Sequence, residues 1–430
     1  MLITSYVPQD FGKGITIPIP KNEKVQGPQS IDSFRGISLS PMLSKLFEHC
    51  ILIQFSKFFI TSYNQLGFKP KSGCQHAIYT VRKVVEYYIT NSSPVNVCCL
   101  DISKGFDKVN HSLLFLKLMK RGAPAILINL LYYWYSISYN CVRWENVISR
   151  PYRLLAGIRQ GGVLSPVLFS TYVNDLLDKF AKFGCYFKGI PVSAIMYADD
   201  LILLSPSLCE LQNMLNMCCS ELTLLDLQVN VKKCSAIRIG NRYKNKCTDL
   251  TLNGIKIPWT TEVKYLGIYI VAATKFKCNF DAAKAKYYRS ANAILAKLGN
   301  NNNKPVTLKL ISTMALPCLT YSLEALSLNK TELVSLNSPW TRAFEKIFKT
   351  FDKNMIKQCQ HYTGFMPMLH MYALKVMSFL EKLNSTDNIM LKTLSSDLST
   401  DDIGRLALLF NSTVADFRSS YRAIIRLAFD

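Results

Sequence analysis

The stretch Tyr197-Ala198-Asp199-Asp200 constrains this chain more than any other. The run Ser193-Ala194-Ile195-Met196 leads into it and Leu201-Ile202-Leu203-Leu204 leaves it, a pattern that predicts two buried strands joined by a turn carrying two carboxylates. Unpaired charge is costly to bury, so these side chains belong at the tip of the hairpin rather than in a core. So placed, they make either a solvated turn or an oxygen-rich site for a hard divalent cation such as Mg²⁺.

A third carboxylate shifts that balance. Val95-Asn96-Val97-Cys98-Cys99-Leu100-Asp101-Ile102 reads as a short buried strand with Asp101 near its end. A helical pattern follows from Ser112 to Lys120, stopped by Gly122 and Pro124. An Asp at a strand end beside a carboxylate hairpin is how two cations are held roughly 3.5–4 Å apart, an arrangement that serves phosphoryl transfer. Asp107 fits the simpler role of a turn cap better than Asp101 does.

The 430 residues suit two or three domains, and a hydrophobic fraction of 49% supports a sizeable core. Lys and Arg outnumber Asp and Glu by 51 to 29, a net charge of +22 that attracts polyanions, nucleic acid above all. Such binding weakens with salt as counterions are released. The N-terminus has no basic start or long apolar core, and no run of 18 uncharged apolar residues occurs, so neither a secretory signal nor a membrane span is expected. The 14 cysteines show no C-x₂-C spacing and read mostly as buried small hydrophobes in a reducing compartment, which implies an intracellular protein of the cytoplasm or nucleus. Cys359, His361 and His370 fit no metal-finger spacing.

Residues 1–30 are Pro- and Gly-punctuated and expected to be extended, ending near Gly27-Pro28. A helix is expected over 40–60 with Leu43, Leu46, Phe47 and Ile51 on one face, and others over 74–90, after Pro124, over 165–183 and over 207–227. The cluster Tyr132-Tyr133-Trp134-Tyr135 suits core packing better than base stacking. A hairpin is predicted over 141–155 and another at Asn253-Gly254. After Tyr269 the pattern turns helical, interrupted by the polar run Asn300 to Pro305.

The two acidic segments resemble motifs A and C of reverse transcriptases, in particular those of non-LTR (LINE-like) retrotransposons. Leu100 to His111 is similar to motif A, with Gly105 where Ala is common, and Tyr197 to Asp200 matches motif C. Further motifs follow in family order. Ser33-Phe34-Arg35-Gly36-Ile37-Ser38-Leu39 carries Gly36 in place of the usual Pro, and Gln65-Leu66-Gly67-Phe68-Lys69-Pro70 carries Lys69 in place of Arg. Gly157 to Pro166 looks like motif B, Leu227 to Lys233 like motif D, and Val263-Lys264-Tyr265-Leu266-Gly267 like motif E, the primer grip. The resemblance covers about residues 15–271.

It implies an α+β right-hand polymerase fold: fingers and palm over 1–271, a helical thumb-like region over 272–350 and a helical C-terminal region of unknown role over 351–430. The implied reaction is RNA-templated extension of a DNA primer with deoxynucleoside triphosphates, using two Mg²⁺ ions, with Mn²⁺ as a possible substitute. Asp101, Asp199 and Asp200 are the implied metal ligands, with the Ile102 carbonyl beside them. The resemblance further implies that Phe106 packs under the sugar and excludes a 2′-hydroxyl. Gln160 and Gly161 approach nucleotide and template, where glycine lets backbone come close. Arg35 and Lys69 meet the triphosphate. Lys233 donates a proton to pyrophosphate, and Tyr265, Leu266 and Gly267 place the primer end. The missing upstream endonuclease suggests a truncated copy or fragment. Two rival readings stay open: a degenerate element relic that only binds nucleic acid, and an intron-maturase-like RNA-binding protein. The oligomeric state is not readable.

Overall fold

A computed structural model describes residues 1, 4, 6–21, 31–299 and 303–427. The single-turn helix α1 (Gln9–Gly12) leads into β1 (Lys13–Pro20), β2 (Phe34–Leu39), α2 (Met42–Gln54) and α3 (Cys74–Thr90). Then come β3 (Val95–Asp101), α4 (His111–Lys120), α5 (Ala125–Ser136), the short strands β4 (Tyr139–Trp144), β5 (Val147–Ile148) and β6 (Tyr152–Arg153), and α6 (Ser165–Phe180). The pair β7 (Tyr186–Phe187) and β8 (Ile190–Pro191) precedes β9 (Ala194–Tyr197) and β10 (Asp200–Ser205). After α7 (Leu208–Leu224) come β11 (Ser235–Ile239), β12 (Leu250–Leu252), β13 (Ile255–Ile257), β14 (Glu262–Tyr265), β15 (Ile268–Val271) and β16 (Cys278–Asn279). The rest is helical: α8 (Asp281–Leu298), α9 (Lys304–Leu310), α10 (Leu316–Thr320), α11 (Lys330–Phe348), α12 (Lys353–Thr363), α13 (Met368–Asn384), α14 (Ile389–Leu409) and α15 (Val414–Leu427).

The central sheet is antiparallel, in the order β11-β3-β10-β9. Its strands are mostly apolar because both faces are covered, and side chains alternate between two cores. Val95, Val97, Ile202, Leu204 and Ile237 enter one core with α3 and the C-terminal helices. Cys98, Leu100, Leu201, Leu203 and Ala236 enter the other, with α4 to α7. Each such large side chain contributes about 1.5–3 kcal/mol on leaving water, so the register of this sheet is strongly specified. A second sheet runs β2-β1-β4-β5, with β6 on β4.

Residues 351–427 have their place in the first core through Tyr372, Val376, Leu383, Leu394 and Phe417. A buried ion network fastens α14 to α3. Asp402 accepts bonds from both terminal nitrogens of Arg82, at 2.9 and 2.8 Å, and lies 2.8 Å from Lys83 Nζ. Among the described residues one segment, Lys304–Ala325, is long and apolar enough to cross a membrane by length and composition, and half of its most apolar window is buried. Its Leu308, Ile311, Ala315 and Leu319 face the first core.

Several local expectations need correction. On α2 the buried line is Ser44, Glu48 and Ile51, with Phe47 partly buried, while Leu43 and Leu46 are exposed. The polar pair is buried because Ser44 Oγ donates to the Pro41 carbonyl (2.7 Å) and Glu48 Oε2 accepts from the Leu164 amide (2.7 Å). The region after Tyr269 is not yet helical: β15 runs to Val271 and β16 pairs with it. Residues 9–20 form a helical turn and a strand rather than plain extended chain, whereas Gly27-Pro28 and Asn300 to Asn302 lie outside the described residues. The 141–155 segment does fold back on itself, yet β4 also pairs in parallel with β1, a long-range pairing no local pattern announces. All fourteen cysteines are free, but only Cys98, Cys185, Cys218, Cys234 and Cys278 are buried.

Candidate active site

The hairpin β9–β10 turns through Ala198 and Asp199, because Tyr197 pairs with Asp200. Ala198 sits at φ 59, a backbone conformation that non-glycine residues seldom adopt. Two contacts hold it there. The Ile102 amide donates to the Asp199 carbonyl (3.3 Å), drawing the turn over the end of β3. On the other side the chain at 64–66 runs along β9: Leu66 N donates to the Met196 carbonyl (2.9 Å) and Met196 N to that of Asn64 (3.0 Å). Gly67 then lies so close that a Cβ would stand 2.4 Å from the Ala198 nitrogen. Glycine is needed at this close approach.

On the central sheet Asp200 pairs directly with Asp101, and Asp199 adjoins it in the turn. Like charges directly opposite on a sheet repel. Their effect is visible in the ionisation. Burial, then the fields of Asp199 and Asp101, push the Asp200 carboxyl up to about 6. Burial, with Asp101 adding to it, also raises Asp199, while the Arg35 and Lys233 charges pull it down. Lys233, in a short turn after α7, places Nζ 2.9 Å from Asp101 Oδ2. The backbone braces this approach, since Asn230 N donates to the Asp101 carbonyl (2.9 Å) and Ser103 N to that of Gln228 (2.8 Å).

This donor set fits a divalent cation. Its oxygens are those hard ions prefer, it carries excess negative charge, and an ammonium stands against Asp101 where positive charge is wanted. Among the described residues no three Asp, Glu, His or Cys side chains are placed so that they could hold a metal ion as they stand, and Lys233 occupies Asp101 Oδ2, so ion binding would require these side chains to rearrange and Asp101 to share or release Lys233. Asp200 also supplies a pH test. Its folded value of about 6 exceeds the ordinary 3.8, so the folded state binds more protons between those values and, without a cation, loses stability as pH rises through that window. Asp200→Asn is expected to reduce this decline, leaving the part due to the raised Asp199 carboxyl, and Mg²⁺ to reverse it above pH about 6. Melting curves in chelator and in Mg²⁺ across pH 4–8 check both; a wild-type curve parallel to the variant's would refute the assignment.

The remaining expected site residues are only partly gathered here. Phe106 follows the β3 end in a short turn, stacked on Phe169 (4.6 Å between centroids, 16° between planes) and edge-on to Phe68. Gly105 makes that stack possible, because a Cβ there would meet Phe169 at 2.9 Å. Gln160 Nε2 donates to Asp107 Oδ1 (2.8 Å), and the Gln160 carbonyl accepts from Ser38 N (2.7 Å), tying the glycine loop to β2. Gly161 stands at φ 115 with Ser38 O against its missing side chain. Arg35 is exposed on β2, and its charge acts on Asp199. The Ile102 side chain is buried.

Lys69 differs from expectation. Its Nζ donates to the Thr61 and Ser62 carbonyls (3.1 and 2.6 Å), and burial lowers its pKa to about 8. Its ammonium closes its own loop, whereas the expected role was to meet the triphosphate. Tyr265 differs too: it is 3% exposed and belongs to the first core, so only Leu266 and Gly267, at φ 43 and 86 in the β14–β15 turn, reach the surface. Sequence reasoning missed Tyr321, whose Oη donates to the Leu266 carbonyl (3.0 Å) and braces that turn. It also missed Glu48, which bonds the backbone at the start of α6; a lone acid in an apolar helix was the available signal.

A family model for reverse transcriptase (RNA-dependent DNA polymerase) matches residues 19–270, more than half of the chain. The chain belongs to the reverse transcriptase family. The resemblance to non-LTR retrotransposon members is borne out by its relatives. The polyprotein of the type-2 retrotransposable element R2DM of Drosophila melanogaster is 27% identical over 64% of this chain and 26% of its own length. The RNA-directed DNA polymerase of the mobile element jockey of Drosophila funebris is 26% identical over 58% of this chain and 28% of its own. A probable RNA-directed DNA polymerase from the X-element of Drosophila melanogaster is 31% identical over 48% of this chain and 22% of its own. The chain thus spans about a quarter of the length of these reverse transcriptase relatives. Among solved structures it is similar to apo telomerase from Candida tropicalis, with a TM-score of 0.44 and 13% identity over 97% of this chain and 68% of that one.

Proposed function

We propose that this chain is an RNA-directed DNA polymerase of a non-LTR retrotransposon, extending a DNA primer on an RNA template with deoxynucleoside triphosphates. The observation that carries the reading is the direct pairing of Asp101 with Asp200, with Asp199 beside them in the turn. Polymerisation needs a primer hydroxyl to attack an α-phosphorus, and its barrier falls through positioning and charge neutralisation. Asp101, Asp199 and Asp200 would hold two Mg²⁺ ions, or Mn²⁺. Bound there, such ions neutralise charge on the attacking and departing oxygens.

The chain's own residues do the rest. Lys233, which stands against Asp101, would once released serve as the proton donor to the departing pyrophosphate. Arg35 approaches the triphosphate from β2. Leu266 and Gly267, braced by Tyr321, receive the primer end. Phe106, fixed by Phe169, closes the space a ribose 2′-hydroxyl would need. The surplus of 51 basic over 29 acidic residues holds the nucleic acid. An intracellular setting, cytoplasm or nucleus, completes the proposal, in keeping with fourteen free thiols.

Primer extension on a heteropolymeric RNA template, with deoxynucleotides and Mg²⁺, tests the reading. Tight, salt-sensitive binding without extension would instead establish the degenerate relic. Phe106→Val is expected to raise ribonucleotide use relative to deoxynucleotide use about 10- to 100-fold. An unchanged ratio in single-nucleotide incorporation removes Phe106 from sugar selection.

A further inference from the structure

A basic, aromatic groove lies at the opposite end of the central sheet from the carboxylates. The loop after β11 supplies Tyr243, Lys244 and Lys246, β11 supplies Arg238, and β13 and its continuation supply Lys256 and Trp259. The groove encloses about 540 Å³, within the range of sites that hold small ligands. Cation and ring faces are neighbours twice over. The Arg238 guanidinium carbon lies 5.9 Å from the Trp259 ring centre, and Lys244 Nζ lies 5.7 Å from that of Tyr243.

The walls are fastened by hydrogen bonds. Arg238 Nε donates to Asn96 Oδ1 (2.9 Å) and Trp259 Nε1 to the Thr248 carbonyl (3.1 Å). Successive turns close the loop, with Tyr243 N donating to the Gly240 carbonyl (3.1 Å) and Asn245 N to that of Arg242 (3.1 Å). Asp249 is the acid lining the groove, and it is engaged by Lys256 at 2.5 Å. The lining therefore keeps a surplus of positive charge on Arg238, Lys244 and Lys246.

We propose that this groove binds an unpaired stretch of nucleic acid, with phosphates on the lysines and bases against Tyr243 and Trp259. Ring faces beside cations suit unstacked bases and backbone phosphates together; an acidic peptide would use the cations and leave the rings idle. The groove is not part of the reaction centre. Arg238 pairs with Asn96 on β3, five residues before Asp101 (96 to 101), which is about 17 Å along a strand. It goes beyond the polymerase reading by giving the protein a second hold on a strand that is not reacting.

The test uses the full chain without nucleotides, so binding alone is read. A 5-bromouridine-substituted 12-mer is expected to photocrosslink to Tyr243 or Trp259, mapped by peptide mass spectrometry. Lys244→Ala/Lys246→Ala is expected to reduce the slope of log affinity against log salt by about 1.4, two single-strand contacts at about 0.7 each. Tyr243→Ala is expected to weaken the 12-mer about 5- to 100-fold and a duplex of equal length little. Crosslinks confined to other segments, an unchanged salt slope, or equal loss for the duplex would each overturn the proposal. So would a variant that loses only anionic vesicles. The wild-type crosslink decides even if a variant misfolds. A chain that crosslinks here yet extends no primer supports the groove while refuting the polymerase.

Discussion

Asp199→Ala is expected to lower primer extension at least about 1,000-fold while leaving the fold intact. The magnitude follows from the role proposed for Asp199, since deleting a single group that stabilises developing charge costs about 10²–10³ in rate and a carboxylate that holds the cations should cost at least as much. The fold survives because Asp199 lies in the hairpin turn, and the bond that draws the turn over β3 uses its backbone carbonyl, which alanine keeps. Deleting it also removes a like charge beside Asp200, so the metal-free variant should be no less stable and the Asp200 carboxyl should move back toward its ordinary range. Extension on an RNA template at a saturating primer concentration, with melting curves as the folding control, reads both. A well-folded variant that extends at the wild-type rate removes these carboxylates from the chemistry.

Asp402→Ala is expected to destabilise the protein by about 3–5 kcal/mol, the effect of stranding buried charge when one partner is removed. Arg82 and Lys83 are each 1% exposed along their side chains, and Asp402 faces both. A loss of this size is a large part of the ~5–15 kcal/mol that holds an ordinary domain together. Replacing all three by apolar residues of similar size should cost far less, because the one charge then left without its partners, Glu86 beside Arg82 and Lys83, is partly exposed. The pH dependence has a definite sign. The Arg82 and Lys83 charges hold the Asp402 carboxyl well below the usual carboxylate range despite burial, which opposes them. Its contribution is therefore complete above the unfolded value of about 3.9 and fades as pH falls below it. Denaturant midpoints of wild type and Asp402→Asn should thus converge as pH falls below about 4; a gap that stays constant into acid would refute the linkage.

The carboxylate site was legible because its signals are local. Strand character around Asp101 and Asp199 lies in unbroken apolar runs, and Asn253-Gly254 forms its turn between Leu252 and Ile255 as its dipeptide predicts. What stayed hidden depends on distant partners. The stripe on α2 was misplaced by one position because Ser44 and Glu48 are buried through bonds to Pro41 and Leu164. Lys69 was expected to face phosphate, but two carbonyls a few residues upstream take its ammonium. Tyr265 sits in a motif that points to the primer, yet strand alternation turns its ring inward while the two residues after it make the turn. The parallel pairing of β1 with β4 and the reach of Tyr321 to Leu266 join segments far apart in sequence, beyond any window of periodicity.

Because neighbours along β3 and β10 are sorted into different cores, a slip of one residue would send every oily side chain to the wrong side. Asp101 and Asp200 are thus kept face to face against their own repulsion by greasy residues that never meet a substrate. Insertions or deletions inside either strand should therefore be lethal to folding and chemistry alike.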